Sequence, residues 1–369
     1  MVIFGTRPEA IKLAPVIKEL EKREETTPIV CVTGQHRQML DQVLKAFDIV
    51  PDFDLNIMQE KQTLTDITIR VLKGMDEILA QAKPDIILVH GDTTTTFAAA
   101  LAAYYRQIPI GHVEAGLRTY RKYAPYPEEM NRQMVSNLAD LHFAPTKETK
   151  ENLVKENKKE EKMIITGNTA IDALKTTLQE DYENDILEEL KDKKIILLTA
   201  HRRENLGKPL ENICNAVKRI VIEHKEVVVV YPMHKNPEIR KTVEKLFDKQ
   251  ERIKLIEPLD VFDFHNFINR SYLVLTDSGG IQEEAPSMGK PVLVLRNTTE
   301  RPEGVTAGTL KLVGTNEEKI YQATKELLEN KQEYEKMSKA PNPYGDGQAS
   351  KRIVDEIVKQ TWERFGEET

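Results

Sequence analysis

The 369-residue chain holds only two cysteines, Cys31 and Cys214, far apart in sequence. Two such thiols build neither a disulfide framework nor a cysteine-bound zinc site, which points to a reducing compartment. No apolar run approaches the roughly 18–20 residues that a membrane span needs. The opening Met1-Val2-Ile3-Phe4 turns polar at once, with no basic leader and no sustained apolar region, so no signal peptide is expected. Cytoplasm is the expected location. Cations are in deficit, with 53 Lys+Arg against 60 Asp+Glu and a net charge of −7. That balance leaves no excess to displace counterions and excludes nucleic acid as the main ligand, though a few local arginines would suffice for a small anion.

Familiar nucleotide motifs are missing too. No GxGxxG follows a strand-like run, and Gly345-Asp346-Gly347 is only a fragment, so nicotinamide-dependent hydride transfer lacks its usual signature. Gly289-Lys290 runs into Pro291 rather than Ser or Thr, so there is no phosphate loop of the Walker type. With no HExxH either, no metal site is expected. The chemistry must come from side chains and substrate.

What is present is a repeated pattern of short runs rich in Val, Ile and Leu. In the first half these are Val2–Phe4, Ile29–Thr33, Ile86–His90, Ile108–Glu114, Leu141–Ala144 and Met163–Thr166. In the second they are Ile195–Thr199, Val227–Tyr231, Ile253–Ile256, Leu273–Thr276, Val292–Leu295 and Leu310–Val313. Near-continuous apolar runs suit strands buried on both faces of a parallel sheet. Helix-like stretches such as Pro8–Arg23, Gln38–Phe47, Thr65–Ala82 and Leu210–His224 separate them. The alternation predicts a doubly wound α/β architecture, written twice, as the chain length also requires. A junction is expected between Gly167 and Lys194, giving a first domain over residues 1–170 and a second over 171–350. An amphipathic helix closes the chain at about 351–369, with Ile353, Ile357 and Trp362 near one face.

In open α/β sheets ligands bind beyond the carboxyl ends of the strands. At those positions stand Thr6-Arg7-Pro8-Glu9, Gly34-Gln35-His36, His90-Gly91-Asp92 and His112-Val113-Glu114 in the first half. The second adds His201-Arg202, His234, Asp277-Ser278-Gly279-Gly280, Glu284 and Arg301. The Asp-Ser-Gly-Gly turn opens a helix, where glycines admit an anion and backbone N–H groups face it, unless it is an ordinary strand-to-helix turn. Glu284, one turn on, is placed to accept from ribose hydroxyls. Arg7 and Arg301 could fork onto phosphate oxygens, and Lys12 could face the same ligand. Thr6 and Glu9 read as a capping box, so Glu9 is expected to be structural. Asp92 reads either as a helix cap or as an acid. His90 and His112 lie inside strands and are expected in the core.

The ordered motifs GTRPEAIKLAP, VTGQHRQMLDQ, VHGDTTTT, GHVEAGLRT, PEEMNR, TGNTAID, HRRENLG, TDSGGIQEEAPS, TTERPEG and NPYGDGQAS span the chain from first strand to last helix. Together they closely resemble the non-hydrolysing UDP-N-acetylglucosamine 2-epimerases. The resemblance implies a GT-B-like fold: two Rossmann-like, doubly wound α/β domains facing across a cleft, with the last helix returning to the first domain. It implies inversion at C2 of UDP-N-acetylglucosamine to give UDP-N-acetylmannosamine, by loss of UDP to a 2-acetamidoglucal and re-addition. It also implies no cofactor, UDP-sugar and UDP as ligands, no membrane partner, and a homodimer feeding polysaccharide synthesis.

Carried onto matching positions, Asp92, Glu114 and Glu128 resemble the family's acid/base carboxylates, with His201 a catalytic histidine beside the diphosphate. Arg7, Lys12, Ser278, Gly279, Gly280, Glu284 and Arg301 resemble its UDP-binding set, and Phe264 stands near the uracil position. Leu259 replaces a glutamine there. Gln35, His36, Gln38, Arg202 and His234 match a second, allosteric UDP-N-acetylglucosamine site of bacterial members, with Lys61 in place of an arginine. Alternatives of the same chemistry are a 2-epimerase of a diacetamido uronic acid and a hydrolysing relative that releases free N-acetylmannosamine and UDP.

Overall fold

The computed structural model describes residues 1–202, 205–234, 236–248 and 250–360, the side chains of Gln38, Met39 and Glu238 excepted. The chain divides into two compact units. One is Met1–Ala173 together with the chain from Tyr344 onward; the other is Leu174–Pro343. The expected doubly wound α/β organisation, written twice, is present.

In the first unit the described strands are β1 (Val2–Phe4), β2 (Val30–Val32), β3 (Phe53–Asp54), β4 (Ile87–His90), β5 (Ile110–Val113), β6 (Leu141–Ala144) and β7 (Met163–Ile165). They form a parallel sheet in the order β3-β2-β1-β4-β5-β6-β7. Strand order therefore reverses between β1 and β4, and the loops after these two strands diverge around one crevice. The sequence pattern misses β3, because Phe53 is only half-buried and Asp54 is exposed at the sheet's edge. Ile108–Glu114 contracts to β5, and Glu114 stands just beyond it.

The second unit repeats the plan with β8 (Lys194–Thr199), β9 (Val227–Pro232), β10 (Ile253–Ile256), β11 (Leu273–Thr276), β12 (Val292–Val294) and β13 (Leu310–Leu312). Their order is β10-β9-β8-β11-β12-β13, so its reversal falls between β8 and β11.

Burial explains the strands. Val2, Ile3 and Phe4 are all buried, as are Val227 to Val230, since helices cover both faces. The helix Arg7–Glu21 turns Ala10, Leu13, Ala14, Ile17 and Leu20 inward at three- and four-residue steps. Leu64–Ala82 does the same with Ile67, Val71, Met75, Ile78 and Leu79, started by the Thr63 hydroxyl accepting from Asp66 N. Each of the valine, leucine, isoleucine and methionine side chains contributes about 1.5–3 kcal/mol by leaving water.

The return to the first unit begins at Tyr344, earlier than the expected 351. Asn168 N donates to Tyr344 O at 2.7 Å, and Asp172 accepts from Ala349 N and Ser350 N, which starts the helix Ala349–Lys359. Arg23 then pairs with Asp355 at 2.6 Å. Ile353 and Ile357 are buried, while Trp362 lies outside the described residues. Among the described residues no helix is long and apolar enough to cross a membrane.

Candidate active site

In the first unit, the reversal between β1 and β4 gathers most of the polar side chains singled out from sequence. Gly5 follows β1, and a Cβ there would lie 2.1 Å from the Thr33 hydroxyl, so only glycine fits. Glu9 accepts from Gly5 N, Thr6 N and the hydroxyls of Thr6, Thr93 and Thr96 at 2.7–3.1 Å. This buried carboxylate knots the loops after β1 and β4, the structural part expected of it. Arg7 is half-buried, and its Nε is buried without a hydrogen-bond partner among the described residues. A buried donor left unpaired costs stability, which marks Arg7 as waiting for an acceptor.

Glu114 stands at the end of β5 with φ +63°, a backbone state uncommon outside glycine. Its carboxylate pairs with the Lys12 ammonium, accepts from Asn168 Nδ2 at 3.2 Å and lies 3.5 Å from His90 Nε2. Burial alone would raise this carboxyl; Lys12 and then His90 outweigh it and hold Glu114 well below the usual carboxylate range. Asp92, beyond β4, goes the other way. Burial pushes its carboxyl up, Glu114 and Glu128 add like-charge repulsion, and Arg132, with Nε 3.6 Å away, offsets only part of this.

Asp92 is not the helix cap. Thr93 is, accepting from Thr96 N at 3.1 Å, so the carboxylate of Asp92 serves no capping role. Glu128 opens the helix Glu128–Leu138, and its Oε2 is buried without a hydrogen-bond partner among the described residues. His112 Nε2 donates to Gly91 O at 2.8 Å, and burial holds its imidazole down at about 3, a core histidine as expected.

Lys12→Met isolates one of these effects. Glu114's folded-state carboxyl is depressed, so its pairing adds stability that is full above the unfolded-state value and fades as pH falls through the folded one. The variant is expected to melt lower at neutral pH and to match the wild type in strongly acidic buffer. Thermal melts at both pH values measure this; an equal loss at both would assign Lys12 a packing role only.

The second unit builds its site around Asp277 at the end of β11. Its Oδ2 accepts from His201 N, Arg202 N and Asn205 Nδ2 at 2.8–2.9 Å, while Oδ1 lies 3.4 Å from His201 Nδ1. Asp277 thus fastens the loop after β8 to the loop after β11. Burial lowers the His201 imidazole, and Asp277 opposes that shift. His234 stacks on His201 with centroids 5.5 Å apart.

Past Asp277, the helix Gly279–Glu284 is only six residues long and passes into a 3-10 turn, Ala285–Met288. Its dipole is correspondingly small, and the positive charge there comes from Arg301. A Cβ on Gly279 would lie 3.0–3.3 Å from the guanidinium atoms of Arg301, so the fork of Arg301 lies against this turn. Glu283 holds it there, accepting from Arg301 Nε at 2.8 Å. Ser278 N donates to the Thr276 hydroxyl at 3.0 Å. Glu284 lies 3.4 Å from His265 Nε2, and Phe264 is half-buried against the core cluster that contains Phe267 and Ile281.

The structure therefore groups Arg7, Lys12, Asp92, Glu114 and Glu128 in one unit. It groups His201, Phe264, Ser278, Gly279, Gly280, Glu284 and Arg301 in the other. Of the second-ligand set, Gln35 accepts from the Thr95 hydroxyl at 2.9 Å and His36 is exposed beside it. Arg202 donates to Asp277 O at 3.0 Å, and His234 stacks on His201. The side chain of Gln38 lies outside the described residues. Sequence reasoning did not single out Arg132, Asn168, Glu283 or His265, and it read Asp277 only as the first residue of the Asp-Ser-Gly-Gly turn. Adjacency of β8 to β11 would have pointed to Asp277, since a carboxylate at a switch point faces the neighbouring strand's loop. Among the described residues no group of three or more His, Cys, Asp or Glu is disposed to hold a metal ion.

Fold and strand-end chemistry define a two-domain α/β enzyme. A family model described as UDP-N-acetylglucosamine 2-epimerase matches residues 18–358. The UDP-N-acetylglucosamine 2-epimerase of Bacillus subtilis is 63% identical, covering 97% of this chain and 94% of its own. A crystal structure of a protein described as a UDP-N-acetylglucosamine 2-epimerase, from Listeria monocytogenes, superposes with TM-score 0.93 at 58% identity, covering 97% of this chain and 95% of that one. The Neisseria meningitidis UDP-GlcNAc 2-epimerase, solved bound to UDP-GlcNAc, gives TM-score 0.88 at 49% identity over 97% and 99% of the two chains. The chain belongs to the UDP-N-acetylglucosamine 2-epimerase family.

Proposed function

We propose that this enzyme interconverts UDP-N-acetylglucosamine and UDP-N-acetylmannosamine without hydrolysis, by eliminating UDP and adding it back to 2-acetamidoglucal. One observation carries the reading: Asp92 and Glu114 face one crevice with their carboxyls pushed in opposite directions. Two carboxyls held apart in this way take different roles in one reaction.

The substrate explains why. A C2 proton of the sugar has no carbonyl beside it and is not acidic in the ground state. When the C1–O bond breaks, its electron pair leaves on UDP and C1 becomes oxocarbenium-like. The C2–H pair then forms the C1–C2 double bond, and the proton passes to a carboxylate. Re-addition reverses these steps with the proton returned to the opposite face. No oxidation state changes, so the reaction calls for no redox cofactor.

Within this reading Glu114, kept ionised by Lys12, stabilises the developing positive charge at C1. Asp92 and Glu128 exchange the C2 proton, one for each face of the ring. Arg301, Ser278 and the Gly279-Gly280 amides hold the diphosphate, His201 meets the charge that collects on departing UDP, Glu284 binds the ribose and Phe264 flanks the uracil. Arg7 supplies a further phosphate donor. Gln35, His36, Gln38, Arg202 and His234 are proposed to hold a second, activating UDP-N-acetylglucosamine. A homodimeric, cytoplasmic enzyme belongs to the same proposal.

The test is incubation with UDP-N-acetylglucosamine in deuterium oxide, followed by NMR. UDP-N-acetylmannosamine carrying deuterium at C2 is the expected product. Free N-acetylmannosamine would make the enzyme a hydrolase, and an unchanged sugar would overturn the assignment.

A further inference from the structure

The helix Val261–Arg270 carries Phe264 on one turn and, next to it, His265, which is 2% exposed. The two ring nitrogens of His265 meet different partners. Nδ1 lies 2.7 Å from the Thr177 hydroxyl, and Nε2 lies 3.4 Å from Glu284 Oε2. Facing a carboxylate, Nε2 carries the hydrogen; Nδ1 is then an acceptor, and the Thr177 hydroxyl donates to it. Thr177 is itself pinned. It is fully buried, and its carbonyl accepts from Asn266 Nδ2 at 2.9 Å, while Asn266 Oδ1 accepts from Gln179 N at 3.2 Å. Two consecutive residues of one helix thus grip Thr177 by its hydroxyl and its carbonyl. Thr177 thereby holds the His265 ring from behind.

The other carboxylate oxygen points where the nucleotide is proposed to lie. A methyl group on Gly280 would sit 3.6 Å from Glu284 Oε1, which places that oxygen over the Gly279-Gly280 turn. Glu284 is largely buried, with 14% of its side chain exposed, so its plane is set by protein contacts rather than by water. A carboxylate anchored through Oε2 presents Oε1 in one direction. Loss of that contact loosens the direction in which Oε1 is presented.

We infer that Thr177 and His265 form a relay that positions Glu284 for the ribose hydroxyls, making His265 a specificity-determining positioning residue for ribonucleotide over deoxyribonucleotide diphosphates. The inference rests on the proposed role of Glu284 in binding ribose. Two requirements follow from it. The donor at Nε2 is needed, and so is the hydroxyl that keeps the hydrogen there. In Thr177→Val, Nδ1 loses its donor, the ring's hydrogen can move to Nδ1, and a lone pair then faces Glu284.

Calorimetric binding of UDP and of 2′,3′-dideoxy-UDP to the full chain tests this. The wild type is expected to prefer UDP by about tenfold or more, the value of hydrogen bonds to a charged acceptor. His265→Phe and Thr177→Val are expected to lose most of that preference while binding dideoxy-UDP as the wild type does. His265→Gln, whose amide N–H can stand in for Nε2–H, is expected to restore it. Should His265→Phe fail to fold, Thr177→Val decides alone. Glu284→Gln separates the two readings. If it keeps the full preference for UDP, the ribose role of Glu284 falls, and the relay with it. If Glu284→Gln loses the preference while His265→Phe and Thr177→Val keep it, Glu284 binds ribose unaided and the relay is overturned.

Discussion

Asp92→Asn is expected to cut turnover by about 10²–10⁴-fold, the usual contribution of a positioned proton-transfer group, and to leave the protein as stable as before or more so. Both halves come from one fact. The folded protein pushes the Asp92 carboxyl up, first by burial, then by Glu114 and Glu128, against the attraction of Arg132. A carboxyl raised in the folded state costs stability when it ionises, and the cost is present at every pH above the folded value. Asparagine removes the charge and therefore the cost. It also removes the group proposed to exchange the C2 proton. For the same reason the pH profile of kcat/KM in the wild type should carry a limb above the ordinary carboxylate range, set by the raised carboxyl of Asp92. Assays with UDP-N-acetylglucosamine and thermal melts at neutral pH read both effects. A variant that is inactive and also much less stable would make Asp92 a structural residue; one that turns over normally would remove it from the chemistry.

Such a trade between stability and activity is typical of functional sites, and it bears on how far the sequence could be read. Strand ends were legible, because buried parallel strands leave continuous apolar runs and the polar residues that follow them stand out. Arg7, Asp92, Glu114, His201 and the Asp277-Ser278-Gly279-Gly280 turn all emerged that way. Edge strand β3 did not, since two residues with one half-exposed side chain carry no periodic signal. Asp92 was open between cap and acid until the neighbouring Thr93 proved to cap the helix. What sequence could not supply was pairing across distance. Lys12 and Glu114 are 102 positions apart and meet only because the order β1-β4-β5 brings their loops together. His265 and Glu284 meet through the packing of a helix on a turn. The Lys12–Glu114 pairing sets the charge of the site, so residue types were legible and their ionisation was not.

Asp277→Asn carries the second large effect, and here too the substitution separates structure from chemistry. Oδ2 of Asp277 holds three donors from the loop after β8, and an amide oxygen in its place can hold them equally. The loop should therefore stay where it is. The change falls on the other atom. Oδ1, buried, 3.4 Å from His201 Nδ1 and without a hydrogen-bond partner among the described residues, becomes an NH₂ group, which can donate but not accept. His201 must then present a lone pair at Nδ1, and it loses the neighbouring negative charge that opposes the effect of burial on its imidazole. The cationic form, the one proposed to meet charge on departing UDP, becomes harder to reach. Turnover is expected to fall by about 10²–10³-fold, as when a donor aimed at developing charge is lost. Any basic limb of kcat should move to lower pH, with UDP affinity less affected. Asp277→Ala is the contrasting variant: it strands three donors, each costing about 1–3 kcal/mol where it stays buried, and should lower the melting temperature sharply. Kinetics beside melts for the two variants give the answer. If Asp277→Asn turns over at the wild-type rate, then Asp277 is only the tie between two loops, and His201 does not work through it.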